Sequence, residues 1–310
     1  MRPPELKEIL TEAAKKNQAD GLLLSGGLDS SILAFLSPGI KAITISLWPF
    51  GEDVQYAKLL EKSLNLKLYH RIVGIEEALG AIPEVIRILR SFDPAIPNDL
   101  VVYFGLKYAQ ELGLKNVMTG DGADELFGGY EFMRKIKDLS SYIKKIVKFM
   151  SFSSEILGKV FRIQISQPYL DKKVVDFSLK IPAELKIREE KNSVFGKWIL
   201  RKSFEPDLAE GIIWQNKRPL EYGSGMKRIR ELISTKIPDK EFDKAKEWGV
   251  KFMNKEHYYY YKVYTEVIGG IPQPEGNQKA CKYCRGAMEK EAFHCKHCGW
   301  VNKDCYNGKN

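Results

Sequence analysis

Cysteine is missing from the first 280 residues of this chain; all five lie between Cys281 and Cys305. A disulfide framework is thereby excluded for most of the molecule, and the late cluster reads as a metal site in a reducing compartment. No apolar run approaches the length of a membrane span, and Met1 to Glu8 lacks the pattern of a signal peptide. A cytoplasmic protein with no membrane partner is the expectation. Histidine is scarce as well, and His70 and His257 stand isolated enough to read as structural. No G-x-x-x-x-G-K-[ST] run exists, which removes the Walker type of phosphate loop. The dinucleotide fingerprint G-x-G-x-x-G is absent from the one glycine turn where it would count.

That turn is Ser25-Gly26-Gly27-Leu28-Asp29-Ser30-Ser31, placed between the apolar runs Gly21–Leu24 and Ile32–Leu36. Strand, tight turn and helix in this order make a phosphate cradle. Two glycines let the backbone approach an anion, and the first turn of the helix offers unpaired N–H groups and the positive end of a dipole. The S-G-G-x-D-S pattern resembles the PP-loop of ATP pyrophosphatases, which bind the β,γ-phosphates and split ATP at the α-phosphate. A net charge of +9 suits anionic substrates and equally permits a nucleic-acid partner.

Apolar strands at Ile40–Leu47 and Lys67–Val73 alternate with amphipathic helices over Glu5–Lys16, about Asp53–Leu64, and Ile75–Leu89, the last interrupted by Pro83. Repeated βα units predict a doubly wound parallel sheet, with ligands gathered beyond the carboxyl ends of its strands. Ser91 to Asp99, with two prolines, reads as a loop before a helix over Leu100–Leu112. A short strand, Lys115–Thr119, then ends in Thr119-Gly120-Asp121-Gly122-Ala123-Asp124-Glu125-Leu126-Phe127-Gly128-Gly129-Tyr130. If that strand end lies beside the Ser25 turn, Asp121 and Asp124 stand where a nucleotide's Mg2+ must be held, since the hard cation takes oxygen ligands.

The two runs together, SGGLDSS and TGDGADELFGGY, resemble the synthetase domain of the asparagine synthetase family. Three later pieces match in order: Gln167-Pro168-Tyr169-Leu170-Asp171, Gly196-Lys197-Trp198-Ile199-Leu200-Arg201, and Trp214-Gln215-Asn216-Lys217-Arg218-Pro219. The resemblance covers about residues 5 to 230. It implies an AMP-forming ligase that adenylates a carboxylate, most simply the aspartate side chain, and hands the acyl group to ammonia or another amine. On that basis Ser25 to Ser31 would hold the leaving pyrophosphate, while Asp29 and Asp124 would bind Mg2+. Lys217 would stabilise charge at the α-phosphate, Lys197 would touch phosphate, and Asp121 would organise the amine, at a position where the family often carries glutamate. Leu24, Ile45 and Gly120 would line the adenosine pocket. The family's glutamine-using members begin with a catalytic cysteine in a separate glutaminase domain; here Arg2 follows Met1. Free ammonia, a separate glutaminase or a different amine is therefore expected as the donor.

Glu131 to Arg162 is basic and amphipathic, and reads as a core-facing helical stretch with a solvated basic face. The tyrosines from Tyr258 to Tyr261 read as packing. After a Gly/Pro-rich linker, Cys281-x-x-Cys284 and Cys295-x-x-Cys298 have the spacing of a zinc ribbon, four thiolates closing a tetrahedral Zn2+ site, with His294 and His297 outside it and Cys305 left over. The expected organisation is a synthetase-like domain over residues 1–268, a linker over 269–280 and a ribbon over 281–310, on which a partner protein could dock. The competing reading is a PP-loop enzyme that modifies tRNA, with the ribbon and the basic surface binding RNA.

Overall fold

Residues 2–302 are described by a computed structural model. Five strands, β1 (Gly21–Leu23), β2 (Lys41–Leu47), β3 (Lys67–Val73), β4 (Asn116–Met118) and β5 (Gln164–Ser166), form one sheet in the order β3-β2-β1-β4-β5. Every pairing is parallel, with Gly21 opposite both Lys41 and Val117. The physical cause is visible along β2. Ala42 belongs to the apolar core on one face and Ile43, Ile45 and Leu47 to the core on the other, so the strand is covered by helices on both sides. The doubly wound α/β class expected from the βα repeats is the one observed.

Helices α1 (Pro3–Lys16), α2 (Leu28–Leu36), α3 (Asp53–Leu64), α4 (Ile75–Leu89) and α5 (Ile96–Glu111) match the anticipated segments, with two differences. Pro83 does not interrupt α4. Ala78, Ala81, Ile82, Val85 and Ile86 lie buried on one continuous face, and their burial outweighs the single backbone hydrogen bond that proline forgoes. The second difference is at α5, which starts at Ile96 rather than Leu100. Pro97 stands in its first turn, where a missing N–H costs nothing because that group has no helical partner anyway.

Chain order reverses around β1: β2 lies on one side of it and β4 on the other. The turn after β1 is Ser25 to Ser31 and the turn after β4 is Gly120 to Asp124, so both glycine-rich segments open at the switch point of the sheet. The hairpin β6 (Arg188–Glu190) and β7 (Ser193–Phe195) turns through Lys191 and Asn192, both at positive φ, and delivers Gly196-Lys197 to the same place.

Glu131 to Arg162 breaks into three short helical pieces, and the middle one, Leu139–Ile146, buries Leu139, Tyr142 and Ile143 while its lysines stay outside. Beyond the helix Lys255–Val267, strands β8 (Lys279–Ala280) and β9 (Ala287–Met288) pair antiparallel in a small cysteine-bearing hairpin. Within the linker, Ile271 packs against Gly286 and the Pro272 carbonyl accepts a hydrogen bond from Ala287. Cys305 and the rest of 303–310 fall outside the described residues. Among the described residues, no helix is long and apolar enough to cross a membrane.

Candidate active site

The Ser25 turn is held by its own hydroxyls. Ser25 Oγ accepts from the Gly27 N–H (3.3 Å) and lies 3.2 Å from Ser30 Oγ, while Ser31 Oγ donates to the Gly27 carbonyl at 2.7 Å. Gly26 takes a φ of +68°, and a Cβ there would stand 2.5 Å from Tyr56 Cβ on α3, so only glycine fits without displacement. Gly27 is the residue before α2, whose first turn therefore faces the cleft.

Across from this turn, the β4 loop and the β6–β7 hairpin bring charge into contact. Lys197 Nζ lies 2.5 Å from Asp29 Oδ2 and 2.7 Å from Asp124 Oδ1, and Lys217 Nζ lies 2.7 Å from Asp124 Oδ2. Two carboxylates and two ammonium groups thus make a closed, locally neutral cage. Burial opposes the charge on Asp124, but the two lysines prevail and hold its carboxyl well below the ordinary range. Lys217 is raised by its carboxylate neighbours against burial, so it stays charged. Asp29 Oδ1 is buried without a hydrogen-bond partner. An orphaned carboxylate oxygen beside a second carboxylate fits a hard cation such as Mg2+.

Lys197 is almost fully buried, and its backbone sits at φ +57°, unusual for a residue other than glycine. The GG of the second run explains how it gets there. A Cβ at Gly129 would overlap Asp124 Oδ1 and Lys197 Cε, so the lysine reaches the two aspartates over a bare backbone.

Asp121 lies in a separate network. Its Oδ2 accepts from Thr119 Oγ1 (2.6 Å), Ser154 Oγ (2.5 Å) and Gln167 Nε2 (3.1 Å), which ties the β4 turn to the segments flanking β5. Leu24 and Ile45 are buried in the two opposite cores of the sheet, so their side chains do not meet, whereas Gly120 lies directly under Asp29. A cavity of about 80 Å³ is lined by Ser25, Gly27, Asp29, Lys197 and Lys217, joined by Asp53, Arg201 and Gln215. It is too small for a nucleotide as it stands, and the segment carrying Lys217 is its outer wall.

Several residues inside the recognised motifs had no role assigned from sequence. Arg201 is buried, donates to the carbonyls of Gly196, Ile213 and Gln215, and so fastens the Lys197 turn to the Lys217 segment; burial pushes its pKa down to about 10. Gln215 donates to the Gly26 carbonyl (3.0 Å), and Arg218 reaches Asp53 (3.2 Å) and stacks on Tyr56. Lys186, fully buried with a pKa pushed down to about 7, donates to the carbonyls of Leu126 and Ser178 (both 2.6 Å) beneath the second glycine run. For Arg201, Gln215 and Arg218 a position in a motif is the available signal, whereas Lys186 lies outside every motif and carries none; the long-range partners of all four are not readable from the sequence.

Glu125 supplies a pH-dependent test. Burial, and then the charge on Asp124, raise its pKa from 4.5 to about 7, and Tyr130 donates to it at 2.5 Å. A raised carboxyl keeps its proton in the folded chain while the unfolded chain has already lost it. Stability therefore falls as pH climbs from the unfolded value through about 7, by up to about 3 kcal/mol. Melting curves at pH 5 and pH 8 should show a larger drop for the wild type than for Glu125→Gln; equal drops would contradict this assignment.

The second candidate centre is the cysteine cluster. Cys281, Cys284, Cys295 and Cys298 are buried with all four sulfurs within 4.8 Å of one another. Two of the separations, Cys281 to Cys298 and Cys284 to Cys295, are 3.7 Å. A tetrahedron with Zn–S bonds of about 2.3 Å has edges of about 3.8 Å, so the donor set fits Zn2+ in both chemistry and spacing. His294 and His297 lie outside the four, His294 beside Asp93 and His297 against the Arg90 carbonyl.

Comparison with known proteins bears on the larger domain. Residues 5–166 and 162–259 match the family model described as asparagine synthase. The chain is 25% identical over 333 residues to asparagine synthetase B [glutamine-hydrolyzing] of Escherichia coli, covering 93% of this chain and 59% of that protein. It is 28% identical over 283 residues to a putative asparagine synthetase of Methanocaldococcus jannaschii (75% and 52% covered) and 28% over 310 residues to a probable one of Schizosaccharomyces pombe (85% and 55%). The chain therefore spans about half the length of the curated relatives it matches. A solved U34-tRNA thiolase from Methanococcus maripaludis superposes with a TM-score of 0.34 at 13% identity, covering 85% of this chain and 80% of that one, which carries no argument about function. By the match over residues 5–259, with both glycine-rich turns meeting at the switch point of its parallel sheet, the chain belongs to the asparagine synthase family.

Proposed function

We propose that the protein is an ATP-dependent ligase that adenylates a carboxylate, in the simplest case the side chain of aspartate, and transfers the acyl group to ammonia or another amine. The observation that carries this reading is the cage in which Lys197 joins Asp29 to Asp124 while Lys217 holds the other oxygen of Asp124. An oxygen of the acid substrate attacks the α-phosphorus of ATP, the bond to the bridging oxygen breaks, and pyrophosphate leaves. The amine nitrogen then attacks the acyl carbon, AMP departs, and the amine's surplus proton passes to solvent or a nearby base.

Negative charge grows on phosphate oxygens in the first step, so preorganised donors should do most of the work. The Ser25 to Ser31 turn supplies backbone N–H groups and hydroxyls for the leaving pyrophosphate. Lys217, one-third exposed and held charged, is free to swing from Asp124 to the α-phosphate once the substrate enters. Asp29 and Asp124 would hold Mg2+, whose charge would neutralise the departing pyrophosphate. Asp121 has one oxygen engaged by three donors and is a rigid organiser of the β4 turn, suited to orienting the amine. Zn2+ would serve structure alone, since the four cysteines close the site with no open position.

A second reading, an RNA-linked substrate, is favoured by one surface. Trp48, Phe50 and Tyr222 are exposed next to the cleft wall, with Arg228 over Phe50 and Lys227 over Tyr222. Aromatic faces interleaved with cations suit single-stranded nucleic acid. One assay separates the readings: pyrophosphate release from ATP and Mg2+ across a panel of amino-acid carboxylates, with ammonium or glutamine as donor, with and without tRNA. We expect aspartate and ammonium to drive release in the absence of RNA. The described cysteines are all buried in the cluster, so none is placed to attack glutamine. Release that requires tRNA would establish the second reading instead.

A further inference from the structure

We propose that the four-cysteine metal site is an interior staple that holds the segment carrying Lys217 in place, rather than an independent appendage. The cysteines belong to the same apolar core as α4, α5 and the helix Lys255–Val267. The ribbon is moored to the segment between α4 and α5. The His297 carbonyl accepts from the Phe92 N–H (2.7 Å) and from Ser91 Oγ (3.3 Å), and Gly299 lies so close to Asp93 that a Cβ would stand 2.5 Å from its carboxyl carbon. Phe92, fully buried, stacks on His257. Metal coordination therefore fixes the backbone of Ser91 to Asp93 through direct hydrogen bonds.

From there the contacts run without a break to the active-site wall. Arg230 donates to the Pro94 carbonyl (2.5 Å), to Glu221 (2.5 and 2.9 Å) and to both oxygens of Glu256 (2.8 and 2.9 Å). Asn98, in the first turn of α5, accepts from the Glu221 N–H (2.9 Å). Glu221 is buried, and it lies four residues after Lys217 in the chain. One guanidinium thus ties the Pro94 carbonyl to Glu221 and Glu256, so loosening the Ser91–Pro94 segment removes a fixed partner of the group that holds Glu221 and the arm before it. Without the metal, four buried thiols have no partner strong enough to hold the knuckles, and the moorings open.

The arm's catalytic meaning rests on the ligase reading, so the test is read without turnover. Hydrogen exchange of peptides covering 214–223 is compared in the full chain as isolated, after zinc is stripped with a chelator, and after zinc is restored, with zinc content measured in parallel. We expect one zinc per chain, and exchange at 214–223 faster by about tenfold or more on stripping, reversed by zinc, with the β6–β7 hairpin unchanged. Arg230→Lys should retain zinc yet show faster exchange from the start, and stripping should then add less than in the wild type, because one of the two links to Glu221 is already cut. If that variant does not fold, Asn98→Ala takes its place. Should stripping unfold the whole chain, the zinc-loaded variants decide. Unchanged exchange at 214–223 in stripped protein or in zinc-loaded variants, or a chain that binds no zinc, overturns the proposal. A protein with an intact staple and no pyrophosphate release would fail only the ligase reading.

Discussion

Lys217→Ala is expected to lower pyrophosphate formation by about 10²–10³-fold with little change in melting temperature. The lysine is partly exposed and reaches Asp124 from the outer wall, so its removal leaves no buried cavity. It does remove one of the two cations that keep the Asp124 carboxyl charged and, on the ligase reading proposed above, the donor that meets the α-phosphate. Single-turnover measurement separates this from weaker ATP binding: the loss should appear in the chemical step, with the apparent ATP affinity changed much less. An activity within threefold of wild type would remove Lys217 from the mechanism and leave Lys197 as the remaining candidate.

Gly129→Ala should be more damaging than its size suggests. The added methyl would occupy space now held by Asp124 Oδ1 and the Lys197 Cε, both parts of the cage. Neither can yield cheaply. Lys197 is almost fully buried at a positive φ, and Asp124 is gripped from both sides. We expect a loss of about 1–3 kcal/mol in stability from overpacking together with activity near background, and no rescue at high ATP or Mg2+. An alanine variant with normal turnover would show that the cage opens readily, and would undercut the reading of Lys197 as a fixed bridge.

These two residues differ in how readable they were. Lys217 was identified because it lies in a motif, Trp214 to Pro219, whose likeness to the family implied its role. Gly129 was visible only as one of four glycines in a run; that it lies under the contact of Asp124 with Lys197 follows from the approach of the β6–β7 hairpin to the β4 loop. The helix boundaries show the same division. The helix at about Asp53–Leu64 was legible because its apolar spacing is local. The continuity of α4 through Pro83 was not, because it depends on what Ala81, Ile82 and Val85 pack against.

By itself the sequence determined the alternation of strands and helices, the two glycine-rich turns, the four spaced cysteines and the family, since each is written in the spacing of neighbouring residues along the chain. Only the tertiary structure decided which carboxylate meets which lysine, that Asp121 stands outside the cage, and that the ribbon is moored to the Ser91–Asp93 segment. Those contacts join residues 33 to 206 positions apart. No local pattern encodes such pairs; they are set by the strand order β3-β2-β1-β4-β5, which turns two distant loops toward one point and leaves burial and charge to choose the partners.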